Sequence, residues 1–573
     1  MITPYFFALA PAPCGDSVAA IWLGGKMDAP ELSILGSHRV TSFPFAHFEM
    51  SGLAWSDDGL RLAGFHGQSF ILWKQDLGLT LRRMEHPITG VGFLGNEAYF
   101  VSGRTLFNIS PSGELLHRTK DVVEIAFSKE VMWLRRVNDG HRVECWNADG
   151  LASVTTLPGV VERTTIAASA DGRWLACAAW SELQWPKADL LISLLDGASG
   201  ELARSDIGGI QFDVGLGTSK LPVAVTASGD VVVQLLQNGR TRLLCVAKGA
   251  AKELTPDDLD VQDFVLDPTS SSFAAVVTAV GGRGPPGMSL IVGDARASGA
   301  RGKVLREVSG SFDMLRWSLQ GSLHCAKAQS SGWQHQSMDP RSAKVRRRHR
   351  ARPAPDFRVF PLAGPPESNR ALVLVASPFR LLRAGPQTLF FQHALYGIAS
   401  AAGELGYRVL GIAGPTSPGG GTEWLLPNTS LAAAWGKILL NIRGQLRKEG
   451  CVNAALLAGS LGAYVSLTAM RDQPVFDVAA LVSPVIRPTR GAVPNWPPIL
   501  DSALLSPGPV SATRVLVAYG SDDSLTTESD VKELQMTFGA FGKNVVLPGE
   551  GHIFRKPSSW RTVSDEILQF LAA

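Results

Sequence analysis

The chain has 573 residues, of which 45% are hydrophobic and only 18% are charged, so it can bury a large core and is not a disordered protein. Its 54 basic and 51 acidic residues leave a net charge of +3, which excludes a general electrostatic attraction to nucleic acid or to an acidic membrane. The 59 glycines and 35 prolines favour many turns and short strands over long helices.

The N-terminal segment Met1–Cys14 is apolar, but it lacks a basic start and contains three prolines. It therefore predicts a strand and not a signal peptide. No apolar run reaches the roughly 18 residues of a spanning helix. The six cysteines are scattered singly, which favours reduced thiols over disulfides or a zinc site. We expect a soluble, cytoplasmic protein without a membrane partner.

Short strands separated by polar turns fill the first 340 residues. The clearest unit begins at Leu53 and reads LAWSDDGLRLAGFHGQSFILW, and the pattern returns at Ile166 as IAASADGRWLACAAW. Weaker copies begin near Val91, Ile125, Val223, Phe264 and Met314. Each unit alternates β-branched or aromatic residues with small or polar ones and then turns at Gly, Asp or Ser, which is typical of β-hairpins. The units recur about every 35 to 55 residues, close to the blade period of a β-propeller.

A β-propeller of about seven blades is the predicted fold of residues 1–350. One four-stranded sheet cannot bury both of its faces, whereas radial stacking of several sheets buries them against one another. Six or eight blades stay open because the middle copies are irregular, and two β-sandwiches are the alternative architecture. A basic run at Lys344–Arg352, followed by two prolines, marks the boundary. We interpret it as a solvated final strand and linker, since no basic surface with interleaved aromatic residues accompanies it.

Residues 351–573 change to strands that alternate with helices, beginning with the apolar run ALVLVA, which is typical of a central parallel strand. Strands are predicted at Ala371–Ala376, Tyr407–Ile412, Ala454–Ala458, Val478–Val482, Arg514–Tyr519 and Asn544–Leu547. Helices are predicted over Leu389–Leu405, Leu431–Glu449, Leu461–Met470, Thr527–Phe538 and Ser558–Ala572. This order predicts a doubly wound α/β sheet with its chemistry at the carboxyl ends of the strands.

The first reactive strand end is the segment LAGSLGAY, where a strand enters a tight turn and then a helix. A serine on so sharp a turn needs small neighbours two positions to either side, because the strand and helix backbones nearly touch. Ala458 and Gly462 meet that need for Ser460. We expect the Ser460 hydroxyl at the helix N-terminus, where the amide of Leu461 can donate to a developing oxyanion.

Two further strand ends read GSDD and GEGH and supply an aspartate and His552. Any one of these residues alone is common in a structural turn, but here all three end separate strands at one edge of the sheet. Their chain order of Ser, Asp, His is that of α/β-hydrolases. We predict that His552 takes the serine proton and that an aspartate orients it. Asp523 is favoured because it lies deeper in its loop, and Asp522 is the alternative.

The whole chain resembles the prolyl oligopeptidase family of serine peptidases, in which a β-propeller precedes an α/β-hydrolase domain. Gly406–Leu410 (GYRVL) looks like the family's GY.V strand, and Ala458–Tyr464 (AGSLGAY) looks like its G.S.GGY elbow. Phe476–Ala480 resembles the strand that follows the elbow, and Gly551-His552 resembles the histidine loop. The resemblance implies hydrolysis of amide or ester bonds in small substrates, typically oligopeptides. It also implies a propeller at residues 1–350 that excludes folded proteins from a catalytic domain at 351–573.

Departures from the family pattern concern the oxyanion site. Ala463 replaces the second elbow glycine, and Ser377–Arg380 (SPFR) stands where the family usually has a His-Gly-Gly-Pro-like stretch. The loop Gly419–Trp424 lacks the tyrosine that the family often places there. We take the backbone of Leu461 as one donor and that of Phe379 as the candidate for a second. Loss of one donor typically costs about 100- to 1000-fold in rate, so a more reactive substrate than a peptide is also considered.

Loops at the same edge supply candidates for substrate binding. Trp424 and Trp496 could form an apolar slot, and Arg380 could meet a substrate carboxylate. For each of them, packing between the domains is the alternative.

The sequence therefore predicts a serine hydrolase that cleaves an amide bond in a small peptide or peptide-like substrate through an acyl-Ser460 intermediate. A tailoring esterase, thioesterase or acyltransferase acting on a small acyl substrate is the second hypothesis. A non-catalytic binding scaffold with a degenerate hydrolase domain is the third. No cofactor, metal ion or nucleic-acid partner is expected, and a homo-oligomer is left open.

Overall fold

Among the described residues of the computed structural model, strands predominate up to Val345, with one short 3-10 helix at Pro340–Ser342, and strands and helices alternate from residue 357 onward. The structure describes residues 5–13, 17–23, 30–35, 42–44, 51–110, 113–128, 130–136, 142–156, 163–180, 187–211, 222–237, 240–247, 249–280, 288–296, 306–309, 312–329, 332–342, 344–345, 357–375, 386–415, 431–471, 475–486, 513–538 and 541–573. Within these ranges, no helix combines the length and the apolar character that crossing a membrane requires.

The strands of the first part form eight antiparallel blades. Blades one to four comprise β1 (Tyr5–Pro11), β2 (Val18–Leu23), β3 (Glu31–Leu35), β4 (Ser42–Pro44); β5 (Ser51–Trp55), β6 (Arg61–His66), β7 (Ser69–Lys74), β8 (Gly78–Arg83); β9 (Ile88–Leu94), β10 (Glu97–Ser102), β11 (Thr105–Ile109), β12 (Leu115–Thr119); and β13 (Val122–Phe127), β14 (Met132–Arg136), β15 (Arg142–Asn147), β16 (Gly150–Thr156).

The second half of the ring has the same construction, with a shorter last blade among the described residues. Blades five to eight comprise β17 (Arg163–Ala168), β18 (Trp174–Trp180), β19 (Lys187–Asp196), β20 (Leu202–Gln211); β21 (Val223–Val225), β22 (Val231–Gln237), β23 (Arg240–Ala247), β24 (Ala250–Glu253); β25 (Leu259–Leu266), β26 (Ser272–Ala279), β27 (Met288–Asp294), β28 (Arg306–Ser309); and β29 (Phe312–Trp317), β30 (Leu323–Gln329), β31 (Gly332–Met338). A two-residue strand, β32 (Lys344–Val345), joins the edge of blade seven at β28.

The first strand of each blade lies next to the first strand of the following blade, and β29 lies next to β1, so the ring closes. The first part is thus a propeller of eight blades, and the prediction of about seven is wrong by one. The seven units found in the sequence correspond to blades two to eight. The repeat pattern does not identify blade one, because the segments that join its strands lack the Ser-x-Asp-Gly turn of the clearest units.

A buried serine stabilises that recurrent turn. Ser169 is completely buried, and its Oγ donates to Asp171 Oδ1 at 2.5 Å and accepts from the amide of Trp174 at 2.9 Å. Ser56 occupies the same position in blade two. The side chain therefore satisfies a backbone donor at the point where the chain reverses, which fixes the register of the hairpin.

Replacing this serine should destabilise the propeller. We expect Ser169→Ala to lower the free energy of unfolding by about 1–3 kcal/mol, because the Trp174 amide loses its acceptor. The shift is measured by thermal unfolding followed by circular dichroism. Ser199→Ala is the matched control, since the Ser199 hydroxyl accepts from the amide of Glu201 on an exposed turn of the same blade, where water can replace it. Equal losses in the two variants would contradict this account.

The second part is a seven-stranded sheet with the order β33-β35-β34-β36-β37-β38-β39. Its strands are β33 (Arg358–Ala363), β34 (Arg370–Val375), β35 (Arg408–Ala413), β36 (Asn453–Gly459), β37 (Val478–Val482), β38 (Arg514–Gly520) and β39 (Phe541–Leu547). Its helices are α1 (Pro386–Glu404), α2 (Leu431–Lys448), α3 (Leu461–Arg471), α4 (Glu528–Phe538) and α5 (Pro557–Ala572).

All six strands and five helices that the sequence predicts from Ala371 onward are present, with bounds that differ by a few residues. The sheet gains one strand that the pattern does not show, because β33 pairs antiparallel with β35 at the sheet edge. Pro361 interrupts its sequence, and an edge is where a strand tolerates a proline.

Helices cover both faces of this sheet. Side chains of β34 alternate between two cores, with Val373 packed in the cluster that holds α2, α3 and α4, and Leu372 in the cluster that holds α1 and α5. The latter cluster continues into buried residues of β1, β2 and β3. The first blade therefore shares a hydrophobic core with one helical layer of the sheet, whereas the cluster of the opposite layer contains no propeller residue in the described ranges.

Candidate active site

Ser460 lies on the sharp turn between β36 and α3. Its φ of +48° is in the left-handed region, which costs energy for a residue with a side chain. The Ser460 amide donates to the carbonyl of Val482 at 3.0 Å, and its carbonyl accepts from the amide of Val485 at 3.2 Å. Hydrogen bonds to the end of β37 and to the loop that follows it thus hold the strained turn in place.

The turn also requires a close approach of backbones. A Cβ atom added to Gly462 would lie 2.1 Å from the carbonyl oxygen of Val375, at the end of β34. A Cβ on Gly459 would lie 2.5 Å from the side chain of Leu395, on α1. A backbone atom cannot move aside as a flexible side chain can. The need for glycine is therefore stricter at position 462 than at position 459.

Ser460, His552 and Asp523 are connected by hydrogen bonds. Ser460 Oγ lies 2.9 Å from His552 Nε2, and His552 Nδ1 lies 3.0 Å from Asp523 Oδ2 and 3.1 Å from Asp523 Oδ1. A proton on Nδ1 donates to this carboxylate and leaves Nε2 to accept from the serine hydroxyl. The Asp523 side chain is fully buried, while that of His552 is 16% exposed. The histidine can therefore meet a ligand while the aspartate stays shielded from water.

The Asp523 carboxylate has a fixed orientation. Its Oδ1 also accepts from the amides of Leu525 at 2.8 Å and Thr526 at 3.1 Å.

Asp522 differs from Asp523, since it is exposed and its Oδ1 accepts from the neighbouring Ser521 hydroxyl at 2.8 Å. Of the two aspartates that the sequence leaves open, Asp523 is the one beside His552. Burial raises the pKa of the Tyr519 phenol, which lies on β38 just before this loop.

The loops that carry the aspartate and the histidine are joined to each other. The amide of Asp522 donates to the carbonyl of Glu550 at 2.9 Å, and the amide of Gly549 donates to Ser521 Oγ at 2.8 Å. A Cβ on Gly520 would lie 2.1 Å from the Glu550 carbonyl oxygen. These contacts continue the pairing of β38 with β39 beyond the strand ends and set the spacing of the two loops.

Glu550 is a residue of this edge that the sequence analysis does not single out. It is completely buried, and its carboxylate accepts three hydrogen bonds from residues at the start of α5. The signal in the sequence is an acidic residue two positions before His552 and shortly before a helix. That signal alone does not distinguish a buried carboxylate from a solvated one.

Leu461, the candidate first oxyanion donor, begins α3 directly after Ser460. Its amide, like the first amides of any helix, has no acceptor within the helix. Four further candidates lie outside the described residues, namely Phe379, Arg380, Trp424 and Trp496. In the described ranges, no group of three or more His, Cys, Asp or Glu side chains is arranged to hold a metal ion, and the cysteines there are buried free thiols.

No protein-family model and no curated protein matches this sequence. Among solved structures, a puromycin-hydrolyzing peptidase of Mycobacterium tuberculosis is 14% identical, with 98% of this chain and 94% of that chain covered and a TM-score of 0.61. The acylaminoacyl peptidase of Pyrococcus horikoshii is 10% identical, with 99% and 96% covered and a TM-score of 0.60. Prolyl oligopeptidase B from Galerina marginata is 11% identical, with 100% and 88% covered and a TM-score of 0.61.

These similarities extend over nearly the whole chain and establish a shared fold. The resemblance to the prolyl oligopeptidase family that the motifs indicate is therefore confirmed at the level of the fold. For the second part of the chain, the shared fold implies the α/β-hydrolase arrangement. Identities of 10% to 14% carry no statement about activity.

A side chain at position 462 should disrupt the elbow. We expect Gly462→Ala to lower the free energy of unfolding by about 1–3 kcal/mol, because the new Cβ would overlap the Val375 carbonyl. Gly444→Ala is the matched control, since Gly444 lies within α2 with open space around its Cβ position. Alanine there should be neutral or slightly stabilising. Chemical denaturation compares the two variants, and an equal effect of both would show that the elbow is not tightly packed.

Proposed function

We propose that this chain is a serine hydrolase with Ser460 as nucleophile, His552 as general base and Asp523 as the carboxylate that orients the histidine. The observation that carries the proposal is the continuous hydrogen-bonded relay from Ser460 Oγ through His552 to Asp523. A base must lie within about 2.6–3.2 Å of the hydroxyl that it activates, and the 2.9 Å separation satisfies this condition.

The relay accounts for both halves of an acyl-transfer reaction. His552 Nε2 removes the hydroxyl proton as Ser460 Oγ attacks the substrate carbonyl carbon, and Asp523 stabilises the imidazolium that forms. The imidazolium then returns this proton to the leaving amine or alcohol as the bond to the carbonyl carbon breaks. In the second half, His552 takes a proton from water as the water oxygen attacks the carbonyl carbon of acyl-Ser460. The imidazolium then returns this proton to Ser460 Oγ as the ester bond breaks and the acid leaves.

The start of α3 suits the charge that develops on the carbonyl oxygen. The Leu461 amide and the positive end of the helix dipole both lie beside Ser460. Donors fixed in place before the reaction stabilise an oxyanion without reorganising. The amide of Phe379 is proposed as the second donor.

The substrate that we propose is a small peptide or a peptide-like amide. The support is the fold shared with a puromycin-hydrolyzing peptidase, an acylaminoacyl peptidase and a prolyl oligopeptidase. A second candidate substrate is an ester or thioester. It is favoured because the segment SPFR stands where the prolyl oligopeptidase family usually has a His-Gly-Gly-Pro-like stretch at the oxyanion site. Cytoplasmic residence, independence of cofactors and the substrate contacts of Arg380, Trp424 and Trp496 stay predictions from the sequence.

A fluorophosphonate probe tests the nucleophile. Wild-type protein should gain the mass of one phosphonyl group, and Ser460→Ala and His552→Ala should gain none under the same conditions. The loss in His552→Ala follows because an unactivated serine hydroxyl is a weak nucleophile. Intact-protein mass spectrometry reads the result. A folded wild-type protein that takes no adduct, or a Ser460→Ala variant that still takes one, would contradict the proposal.

The two neighbouring aspartates offer a matched pair. Asp523→Asn should slow phosphonylation at least about 100-fold, because an amide cannot hold the imidazole in the same tautomer or stabilise its cation. Asp522→Asn should stay within about twofold of wild type, because that side chain is exposed and contacts Ser521. The rate constants of adduct formation are compared at one probe concentration. A larger effect at Asp522 would reverse the assignment.

Paired substrates separate the two candidate functions. A p-nitroanilide and a p-nitrophenyl ester with the same acyl group differ only in the leaving group. A peptidase should hydrolyse both, with the loss of Ser460 abolishing both activities. Hydrolysis of the ester alone, across a panel of short acyl-peptides, would favour the esterase or thioesterase hypothesis over the peptidase.

A further inference from the structure

The carboxylate of Glu550 is buried two residues before His552 and is fully satisfied by donors that follow it. Glu550 has no exposed surface. Its Oε2 accepts from the amide of Arg555 at 2.7 Å, and its Oε1 accepts from the amide of Lys556 at 2.9 Å and from Ser559 Oγ at 2.7 Å. Hydrogen bonds to a buried carboxylate are strong because the acceptor is charged and little water screens it.

These bonds also fix the chain where it enters α5. The N-cap residue Lys556 makes no side-chain capping bond. The carboxylate of Glu550 holds the amides of Arg555 and Lys556, which precede the first helical residue, and its charge lies near the positive end of the helix dipole. Glu550 therefore ties the loop directly to a helix whose buried face belongs to the core around α1 and α5.

The loop so closed runs from Glu550 to Lys556 and holds His552 between its ends. Gly551, His552 and Ile553 are only partly buried. Packing alone therefore does not fix the imidazole. The hydrogen bonds from the Glu550 side chain across the loop constrain the backbone on both sides of His552. The backbone carbonyl of Glu550 accepts from the amide of Asp522, so the same residue also contacts the aspartate loop.

We infer that Glu550 is a positioning residue that holds His552 at hydrogen-bonding distance from both Ser460 and Asp523. The inference rests on the proposed function, because it assigns Glu550 a part in activating Ser460. The cause is geometric, since a misplacement of about 1 Å at a reacting group typically costs about 100-fold in rate. Glu550 itself touches none of the three relay side chains in the contacts described above, so its effect passes through the histidine loop.

Glu550→Gln tests the inference with a nearly isosteric side chain. One oxygen can still accept, but the NH2 group must face a backbone amide or the Ser559 hydroxyl, so at least one former bond is lost. We expect phosphonylation of Ser460 to slow about 10- to 100-fold. With a p-nitrophenyl ester, kcat should fall while KM stays within about twofold, as for a residue that affects only the transition state.

Asp477→Asn is the control for loss of a structural carboxylate away from the candidate site, and its side chain is 49% exposed. Asp477 Oδ2 accepts from the amide of Ala454 at 2.8 Å and from Arg443 Nη2 at 3.0 Å, at the amino end of the sheet. This variant should lower the melting temperature and leave the phosphonylation rate within about twofold of wild type. If Glu550→Gln also lowers only the melting temperature, Glu550 is purely structural and the inference is overturned.

Ser559→Ala is the second variant, and it decides the question if Glu550→Gln does not fold. It removes one of the three donors and leaves both amide bonds. A fall of about threefold or more in the phosphonylation rate, with unchanged KM, would support the inference, and an unchanged rate would overturn it. Failure of wild-type protein to react at Ser460 would instead refute the proposed function, so the two failures are distinguishable.

Discussion

The candidate active site of this protein depends on backbones that approach one another more closely than a side chain permits. At Gly462 the start of α3 meets the end of β34, and at Gly520 the aspartate loop meets the histidine loop. A Cβ atom at either position would lie 2.1 Å from a carbonyl oxygen. Because of these two contacts, loops from the ends of β36, β38 and β39 come together within hydrogen-bonding distance.

The close packing is accompanied by local strain. Ser460 and Ser483, at the ends of the adjacent strands β36 and β37, have φ angles of +48° and +43°. Such a conformation costs about 1–3 kcal/mol per residue. The Ser483 hydroxyl is also buried without a hydrogen-bond partner among the described residues. The free energy gained by packing the cores on both faces of the sheet offsets these local costs, as is typical where a fold violates a local rule at a functional site.

Much of this architecture is visible in the sequence because local patterns determine it. The buried strands and amphipathic helices of the second part have clear periods, and Ser460 and His552 each follow a strand. Blade one is hidden because the segments that join its strands lack the Ser-x-Asp-Gly turn, and β33 is hidden because Pro361 interrupts its apolar run. The role of Glu550 is hidden for a different reason, since it depends on where the chain returns at Arg555 and Lys556. A local pattern cannot show such a return.

A crystal structure of the fluorophosphonate adduct would test whether these three loops form one working nucleophile. We predict phosphorus bonded to Ser460 Oγ, with a phosphonyl oxygen about 2.7–3.1 Å from the Leu461 amide and His552 still bonded to Asp523. Phosphorus on another residue would contradict the account. So would a phosphonyl oxygen that points away from the start of α3.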